Sequence, residues 1–541
     1  YTAEQLENYR TGAPGYESVD WYSTMMKDFT VNQYHNLSAS GGNDIIKFYA
    51  SLGYNNEPGI LRLNTINYEK YSFRANTSAK VSKDISAEVD FSGIIEHNDG
   101  PSTPLTNLMR GAIGEAPIHQ PYANGNPDYY AYVYDGQVIN PLAASDTDYS
   151  GYVKHRIRSY KAKGSLIWNC PWVKNLQLKG TAAYDNYTVV SKNMGLSYNL
   201  YNYDSENDIY THTWNSGTSE LNEAWINNYA LRFQTQLSWH DTFAEHHHAG
   251  ATIVWEQGSS FDKNAGLSRK YTFYTMDIIQ YGDTDGQATG GSESESMFKS
   301  LLGRLTYDYK GKYMFEFAAR YDGSYRYHPS HRWAFFPVYS VGWRASEEPF
   351  FQSALPFVSN CKLRFSYGEL GQDAGNAFQY IGGFTLGEGG FVFSDSGSWT
   401  FGSQAPGVTN PNLTWYKSRM FNFGLDLGFL DNALSLTAEY YLRNRRGLLA
   451  TRTNTLPNTF GADLPQENLD TDRVQGIELS TTFDKKISSD WRLTASANVN
   501  FARSMWVYRE HAPYTSSYDR YRKDSFFWYQ RCIASGGVDL D

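Results

Sequence analysis

The chain predicts an all-β fold, an antiparallel sheet built to cross a membrane with strands, and three observations carry that prediction. Apolar and polar residues alternate in run after run, most runs are about 9–11 residues long, and the connections between runs alternate short and long. The clearest stretch is 299–344. Leu305, Tyr307 and Tyr309 alternate with Thr306 and Asp308. After the turn at Lys310-Gly311-Lys312, Tyr313, Phe315, Phe317, Ala319 and Tyr321 fall on one side and Met314, Glu316, Ala318, Arg320 and Asp322 on the other. Period two is the strand period, because successive side chains point to opposite faces of a sheet. One face is aromatic and the other charged, so one side meets an apolar medium while the other stays wet.

Taken in order, residues 1–34 are not strand-like. Thr2-Ala3-Glu4-Gln5 has the spacing of a capping box, with a short helix ending near Gly12. Strands are then predicted at 35–40, 46–55, 68–81, 85–96, 160–168, 176–187, 229–239, 248–258, 299–309, 313–322, 335–344, 361–368, 419–428, 434–444, 475–484 and 491–502. The short connections are 41–45, 82–84, 169–175, 240–247, 310–312, 345–360, 429–433 and 485–490. The long ones are 56–67, 97–159, 188–228, 259–298, 323–334, 369–418 and 445–474. Short turns at one rim and long loops at the other mark an outer-membrane β-barrel with its short turns in the periplasm and its long loops outside the cell. A β-sandwich has no reason to sort loop length by strand parity and uses shorter strands. Parity places residues 1–34 on the extracellular side as a loop segment, 35–502 as the transmembrane barrel, and leaves 503–541, which alternate poorly, as an uncertain continuation.

Composition agrees. Aromatic residues make up 16% of 541 residues, with 44 Tyr, as interface girdles of a barrel require. No run of 18 apolar residues exists, which excludes transmembrane helices and says nothing against strands. A net charge of −10 without a basic run argues against nucleic acid as a partner. Cys170, Cys361 and Cys532 are too few and too scattered for a disulfide framework, and three free thiols are expected. Because the chain starts at Tyr1 without an initiator Met, it is expected to be a piece of a longer protein.

Several long stretches then resemble one family. RYDGSYRYHPSHRWAFFPVYSVGWRASEEPFF (320–351) looks like the most characteristic segment of the SusC/RagA-like TonB-dependent outer-membrane transporters. NLSASGGNDIIKFYASLGYNNEPGI (36–60), KLRFSYGELGQD (362–373), NPNLTWYKSRMFNFGLDLGFLDNALSLTAEYYLRN (410–444) and LPQENLDTDRVQGIELS (464–480) follow in the family's order. The resemblance implies a barrel of the 22-stranded type, of which this chain carries about the second to the seventeenth strand. It further implies a plug, a TonB box and last strands outside this chain, and a SusD-like substrate-binding lipoprotein as lid, with a dimer of transporter–lipoprotein pairs as one arrangement. The implied activity is TonB-dependent import of oligosaccharides across the outer membrane of a Gram-negative bacterium. Import of peptides, or of a siderophore or vitamin, is the alternative, ahead of a passive porin or an adhesin.

No enzyme motif is present: GxSxG, HExxH and Walker patterns are all missing, and neither a cofactor nor a metal is expected. His246-His247-His248 lies in a short turn where neighbouring side chains diverge, and Asp283-Thr284-Asp285-Gly286 lacks the rest of a calcium loop. Ligand contacts are expected from aromatic residues of the long loops: Tyr129, Tyr130, Tyr132, Tyr134, Trp214 and Trp399. Their flat rings can stack on sugars, or can pack loops together. Glu316, Arg320, Asp322, Arg344, Arg364, Glu439, Arg443 and Glu478 alternate with apolar positions and are expected to face the lumen, leaving the other face to outer-membrane lipid.

Overall fold

Alternating side chains need a continuous hydrogen-bonded ladder, and the computed structural model supplies one. It describes all residues except 1, 14–15, 64, 134–139, 394–396, 398, 405, 453–461, 463 and 511–541. The strands are β1 (Gln33–Gly42), β2 (Ile46–Pro58), β3 (Asn67–Lys80), β4 (Ile85–Pro101), β5 (Gly151–Asn169), β6 (Leu176–Gly195), β7 (Asn199–Asp204), β8 (Ile209–Asn215), β9 (Ser219–Phe243) and β10 (His247–Tyr271). They continue with β11 (Ala288–Tyr309), β12 (Tyr313–Ser324), β13 (Trp333–Arg344), β14 (Val358–Gln372), β15 (Thr385–Val392), β16 (Trp399–Gln404), β17 (Tyr416–Phe429), β18 (Leu434–Thr451), β19 (Gln466–Lys486) and β20 (Arg492–Tyr508). Sixteen of these form one sheet in chain order, interrupted only where β7–β8 and β15–β16 make separate hairpins in the loops.

Each of the sixteen sheet strands coincides with one predicted from alternation. They run further than predicted, mostly toward the long loops: β10 reaches Tyr271 instead of 258, and β11 starts at Ala288 instead of 299. The added residues, such as Ser292-Glu293-Ser294-Glu295, are polar on both sides, so alternation carries no signal there although the ladder continues. Before β1, helix α1 (Ala3–Thr11) has the capping box read from sequence. Thr2 accepts from the Gln5 amide (3.1 Å), the Gln5 side chain accepts from the Thr2 amide (2.8 Å), and Gly12 closes the helix at φ 64°.

The chain divides into two compact units. The first holds Tyr1–Leu166, Thr181–Arg232 and Ser259–Ser296; the second holds Ile167–Gly180, Phe233–Gly258 and Met297–Asp541. In the second unit the register lines up apolar positions on one face, strand after strand. One row reads Leu305, Phe317, Tyr339, Tyr367, Phe421 and Leu442 across β11, β12, β13, β14, β17 and β18. Its rings touch: Phe317 and Tyr339 are 5.0 Å apart, Tyr367 and Phe421 4.9 Å. The next row, Tyr307, Phe315, Val341, Phe365, Phe423, Tyr440, Ile477 and Phe501, extends to β20. In the first unit, Leu37, Leu52 and Phe73 are partners across β1, β2 and β3, and Gly93 of β4 leaves room for the Phe73 ring, 2.2 Å from where a Cβ would sit.

The short connections are built to turn sharply. At the β11–β12 turn, Lys310 and Gly311 both adopt positive φ (55° and 64°), and the Gly311 amide donates to Asp308 at 3.0 Å. The register between Tyr309 and Tyr313 is thereby fixed, and a one-residue slip would exchange the faces of the whole strand.

Two substitutions on β12 read this arrangement. Phe317→Arg places a charge on the apolar face and is expected to destabilise by about 2–4 kcal/mol in a urea refolding titration into lipid vesicles. Glu316→Gln, which loses only a half-exposed ion pair with Arg304 (2.8 Å), should cost no more than about 1 kcal/mol. Equal losses would mean that the register is wrong.

Candidate functional site

In the first unit the long connections fold into a core of their own. Helix α2 (Trp21–Met25), capped by the Asp20 side chain on the Ser23 amide (3.0 Å), buries Trp21 and Met25. They join Leu61, Leu108 of α3 (Leu105–Gly114), and Leu142, Ala143 and Ala144 of α4 (Pro141–Ser145) in one cluster. Asn140 starts α4 with φ 47°. Its buried amide accepts from Ala143 N–H (3.0 Å) and donates to the carbonyls of Pro121 (2.8 Å) and Ala131 (2.9 Å), so three segments meet at one side chain.

The predicted tyrosines of the longest loop belong to this core. Tyr130 is 7% exposed, donates to Asp146 at 2.7 Å, and packs its ring against Tyr122 and Tyr149. Tyr129 lies flat on Tyr210, with ring centres 4.1 Å apart, and meets Tyr201 edge-on. Tyr132 packs against the cluster, and its amide donates to Tyr201 (2.9 Å); Trp214 packs edge-on to Tyr198. Tyr134 lies outside the described residues. Of the two roles open to loop aromatics, packing is therefore the one seen for Tyr129 and Tyr130, whose ring faces are occupied by protein. A run such as Tyr129–Val133 looks the same in sequence whether its rings face solvent or each other. Burial raises the Tyr130 hydroxyl, with Asp146 adding to the shift, and pushes Tyr149 up to about 12.

Trp399 is placed differently. It sits on the two-stranded hairpin β15–β16, 59% exposed, opposite Val392 and lying over Gly390, where a Cβ would come within 2.4 Å of its Nε1. Phe391, Phe393 and Phe401 are exposed on the same hairpin and its end, so it carries several exposed aromatic rings.

The charged positions of the second unit share the face opposite the aromatic rows. Arg364 on β14 forks onto Asp426 of β17 (2.8 and 2.9 Å) and reaches Glu439 of β18 (2.7 Å). Gly424 makes that reach possible, since a Cβ there would stand 2.8 Å from the Arg364 guanidinium carbon. Thr437 donates to Asp426 and Asn422 to Glu439. Glu478 stands directly opposite Glu439 in the β18–β19 register. Arg320 forks onto Asp322 (3.1 and 3.0 Å), and Glu316 holds Arg304. The Nε atoms of Arg344 and Arg443 are buried without a hydrogen-bond partner among the described residues. Of the eight predicted residues, Arg364 and Glu439 are in contact, as are Arg320 and Asp322. Glu478 is the cross-strand neighbour of Glu439, and Glu316, Arg344 and Arg443 are placed separately along the same face.

A second assembly, which alternation does not reveal, ties the long-loop ends together. Tyr327, 1% exposed, accepts from the Ala374 amide (2.9 Å), and Arg326 donates to the Gly375 carbonyl (2.6 Å). Ser324 donates to Asp373 (2.8 Å), and Trp415 Nε1 donates to the Arg332 carbonyl (2.9 Å). Asn468 accepts from the Thr414 amide (2.9 Å) and donates to the carbonyls of Thr414 and Gly447 (both 2.8 Å). The Phe336 ring fills the gap where β13–β14 pairing stops, over Gly371, whose Cβ would meet it at 1.9 Å. The converging segments lie in or just beyond four of the five stretches that carry the family resemblance, 320–351, 362–373, 410–444 and 464–480. Burial pushes the Tyr327 hydroxyl up to about 12.

Among the described residues no group of three or more His, Cys, Asp or Glu side chains is placed to hold a metal. His247 bonds to Tyr307 (2.7 Å) and His248 to Thr242 (2.9 Å). Cys170 and Cys361 are free thiols.

The fold, an alternating wall with one charged face and long structured loops, is that of an outer-membrane β-barrel. The TonB dependent receptor-like, beta-barrel family matches residues 106–527, and the chain belongs to it. Its relatives are of the SusC/RagA type. TonB-dependent receptor P3 of Formosa agariphila is 25% identical over 93% of this chain and 48% of its own length. TonB-dependent receptor SusC of Bacteroides thetaiotaomicron is 22% identical over 90% of this chain and 48% of its own. The RagAB peptide importer in its open-open state superposes with a TM-score of 0.76 at 20% identity, over 93% of this chain and 53% of that one. The chain thus spans about half the length of the curated relatives it matches. It is an outer-membrane protein of a family that transports and does not catalyse.

Gly371→Ala is expected to destabilise by about 1–3 kcal/mol, because a Cβ there would meet the buried Phe336 ring and force it to shift; a stability loss below about 0.5 kcal/mol by denaturant titration would mean the gap is looser. Tyr149 and Tyr327 have raised folded-state values, so the fold gains from their neutral forms. That gain is complete below about pH 10, the unfolded value, and is lost as pH rises toward about 12. Ultraviolet titration of tyrosinate should show late-ionising phenols that disappear in Tyr149→Phe and Tyr327→Phe.

Proposed function

We propose that this chain is the wall of an active outer-membrane importer, energised through TonB, that takes up oligosaccharides together with a SusD-like surface lipoprotein. Family membership supports import, and the two-faced wall supports passage along its charged side. In this reading the face bearing Glu316, Arg320, Asp322, Arg344, Arg364, Glu439, Arg443 and Glu478 lines the lumen, with the aromatic rows against lipid. The observation that carries the cargo class is the hairpin β15–β16, where Trp399, Phe391 and Phe401 present flat apolar faces to solvent at the long-loop end. Such faces stack on the apolar sides of sugar rings, while neighbouring polar side chains bond hydroxyls. Tyr132 and Trp214, only partly buried, are the remaining candidates in the other loops. Residues 1–34 act as an extracellular segment, 35–502 as barrel wall, and the stretch from 503 as its continuation.

Peptide uptake is the competing reading, since the similar RagAB structure is described as a peptide importer. The full-length protein decides between them. Calorimetry of the purified complex against oligosaccharide and peptide panels should show binding to one glycan class, weakened about tenfold, or about 1.4 kcal/mol, by Trp399→Ala. Binding only to peptides would reject the glycan reading. Deleting the TonB box should abolish growth on that glycan; growth that persists would show passive entry.

A further inference from the structure

The apolar face of the second unit ends abruptly toward the long loops. On β17 the residues of that face are Phe429, Leu427, Leu425, Phe423 and Phe421, followed by Arg419 and Lys417. On β18 they are Leu434, Leu436, Ala438, Tyr440 and Leu442, followed by Asn444 and Arg446. From Phe429 to Phe421 the strand rises about 27 Å, close to 20 Å of membrane depth at the tilt of a barrel strand. The charged residues therefore begin where the hydrocarbon should stop.

They are also nearly all of one sign. Glu369, Arg419, Asn444 and Arg473 are consecutive partners across β14, β17, β18 and β19. One step further out, Lys417 stands directly opposite Arg446. Glu369 is buried and already engaged by Arg419 (2.7 Å), Lys417 (3.8 Å) and the Tyr367 hydroxyl (2.7 Å). Among the described residues Arg473 uses only its Nε, on Asn444 (2.7 Å). Arg446 is exposed, and its side chain makes no hydrogen bond or ion pair among the described residues. The nearby acids are taken up elsewhere: Asp472 by Arg445 on the opposite face, and Asp470 by the Glu510 amide. Two cations directly across a strand pair repel each other; Glu369 reaches Lys417 of this pair (3.8 Å) and is shared with Arg419, so a further anion beside Arg446 would lower the repulsion.

We propose that Lys417, Arg419, Arg446 and Arg473 form a binding site for the phosphate groups of lipopolysaccharide in the outer leaflet. The lipid's acyl chains would lie along Phe421, Leu442 and Tyr440. Guanidinium groups suit this ligand because their planar forks match phosphate oxygens and remain charged at any physiological pH. The site lies on the wall's lipid side and takes no cargo. It rests on the reading that the aromatic face meets lipid, which the Phe317→Arg experiment tests separately.

The full-length protein is extracted in mild detergent and examined by native mass spectrometry with purified lipid A, dephosphorylated lipid A and phosphatidylglycerol. Lipid A should bind at least tenfold more tightly than either control, and raised salt should weaken it. Lys417→Ser/Arg446→Ser should lose that preference, whereas Lys417→Arg/Arg446→Lys should keep it. Because the Arg446 side chain makes no hydrogen bond or ion pair among the described residues, the Arg446→Ser single variant keeps the test valid if the double variant fails to fold, and it should also weaken lipid A binding. Equal binding of lipid A and dephosphorylated lipid A, or an unchanged serine variant, would overturn the proposal. Equal binding of phosphatidylglycerol would overturn the assignment to lipopolysaccharide.

Discussion

Everything in this wall depends on one constraint: in hydrocarbon, each backbone N–H and C=O must find its partner within the protein. The ladder running in chain order through sixteen strands meets that demand, and in doing so it fixes which side chains share a face. Between β14 and β17 the register runs unbroken from Asn360–Gly428 to Gln372–Tyr416, and this places Phe365, Tyr367, Phe421 and Phe423 on one side and Arg364 and Asp426 on the other. In the second unit the sheet register shifts between Val358 and Asn360, at Arg446–Leu448–Leu449 and at Thr471–Asp472, outside the rows through Phe317 and Phe315. A bulge inside the belt would expose unpaired backbone to lipid and reverse the faces beyond it.

That constraint also explains what was legible in the sequence. Within the belt, lipid on one side and polar groups on the other force strict alternation, so strands such as Leu434–Leu442 could be read directly. Outside it both faces are wet, and the extensions of β9, β10 and β11 carry no such pattern. The helices α2, α3 and α4 and the hairpin β7–β8 were not predicted, because they belong to a loop core whose contacts join residues far apart, as Trp21 does with the Ala116 carbonyl; the exposed hairpin β15–β16 has no buried face and so no alternation to read.

The candidate site was legible only in part. Charge on alternate positions marked the face bearing Arg364 and Glu439, but not that Gly424 lets the guanidinium cross a strand to join them. The tyrosines at 129 and 130 were recognisable as important without their role being so, since a ring stacked on Tyr210 and one exposed to a sugar give the same letters. Four of the five stretches that carry the family resemblance, all but 36–60, are hydrogen-bonded and packed against one another around Tyr327, Trp415, Phe336 and Asn468.

The central claim is that the alternating faces of this sheet divide lipid from water. The most direct test is accessibility along β17: single cysteines at each position from Met420 to Phe429, in a protein whose native cysteines are replaced by serine, carrying spin labels in lipid vesicles. Labels at Phe421, Phe423, Leu425, Leu427 and Phe429 should collide with oxygen, and labels at Asn422, Gly424, Asp426 and Gly428 with a water-soluble nickel complex, with a period of two throughout. A profile without that period, or one whose two phases are exchanged, would contradict the account.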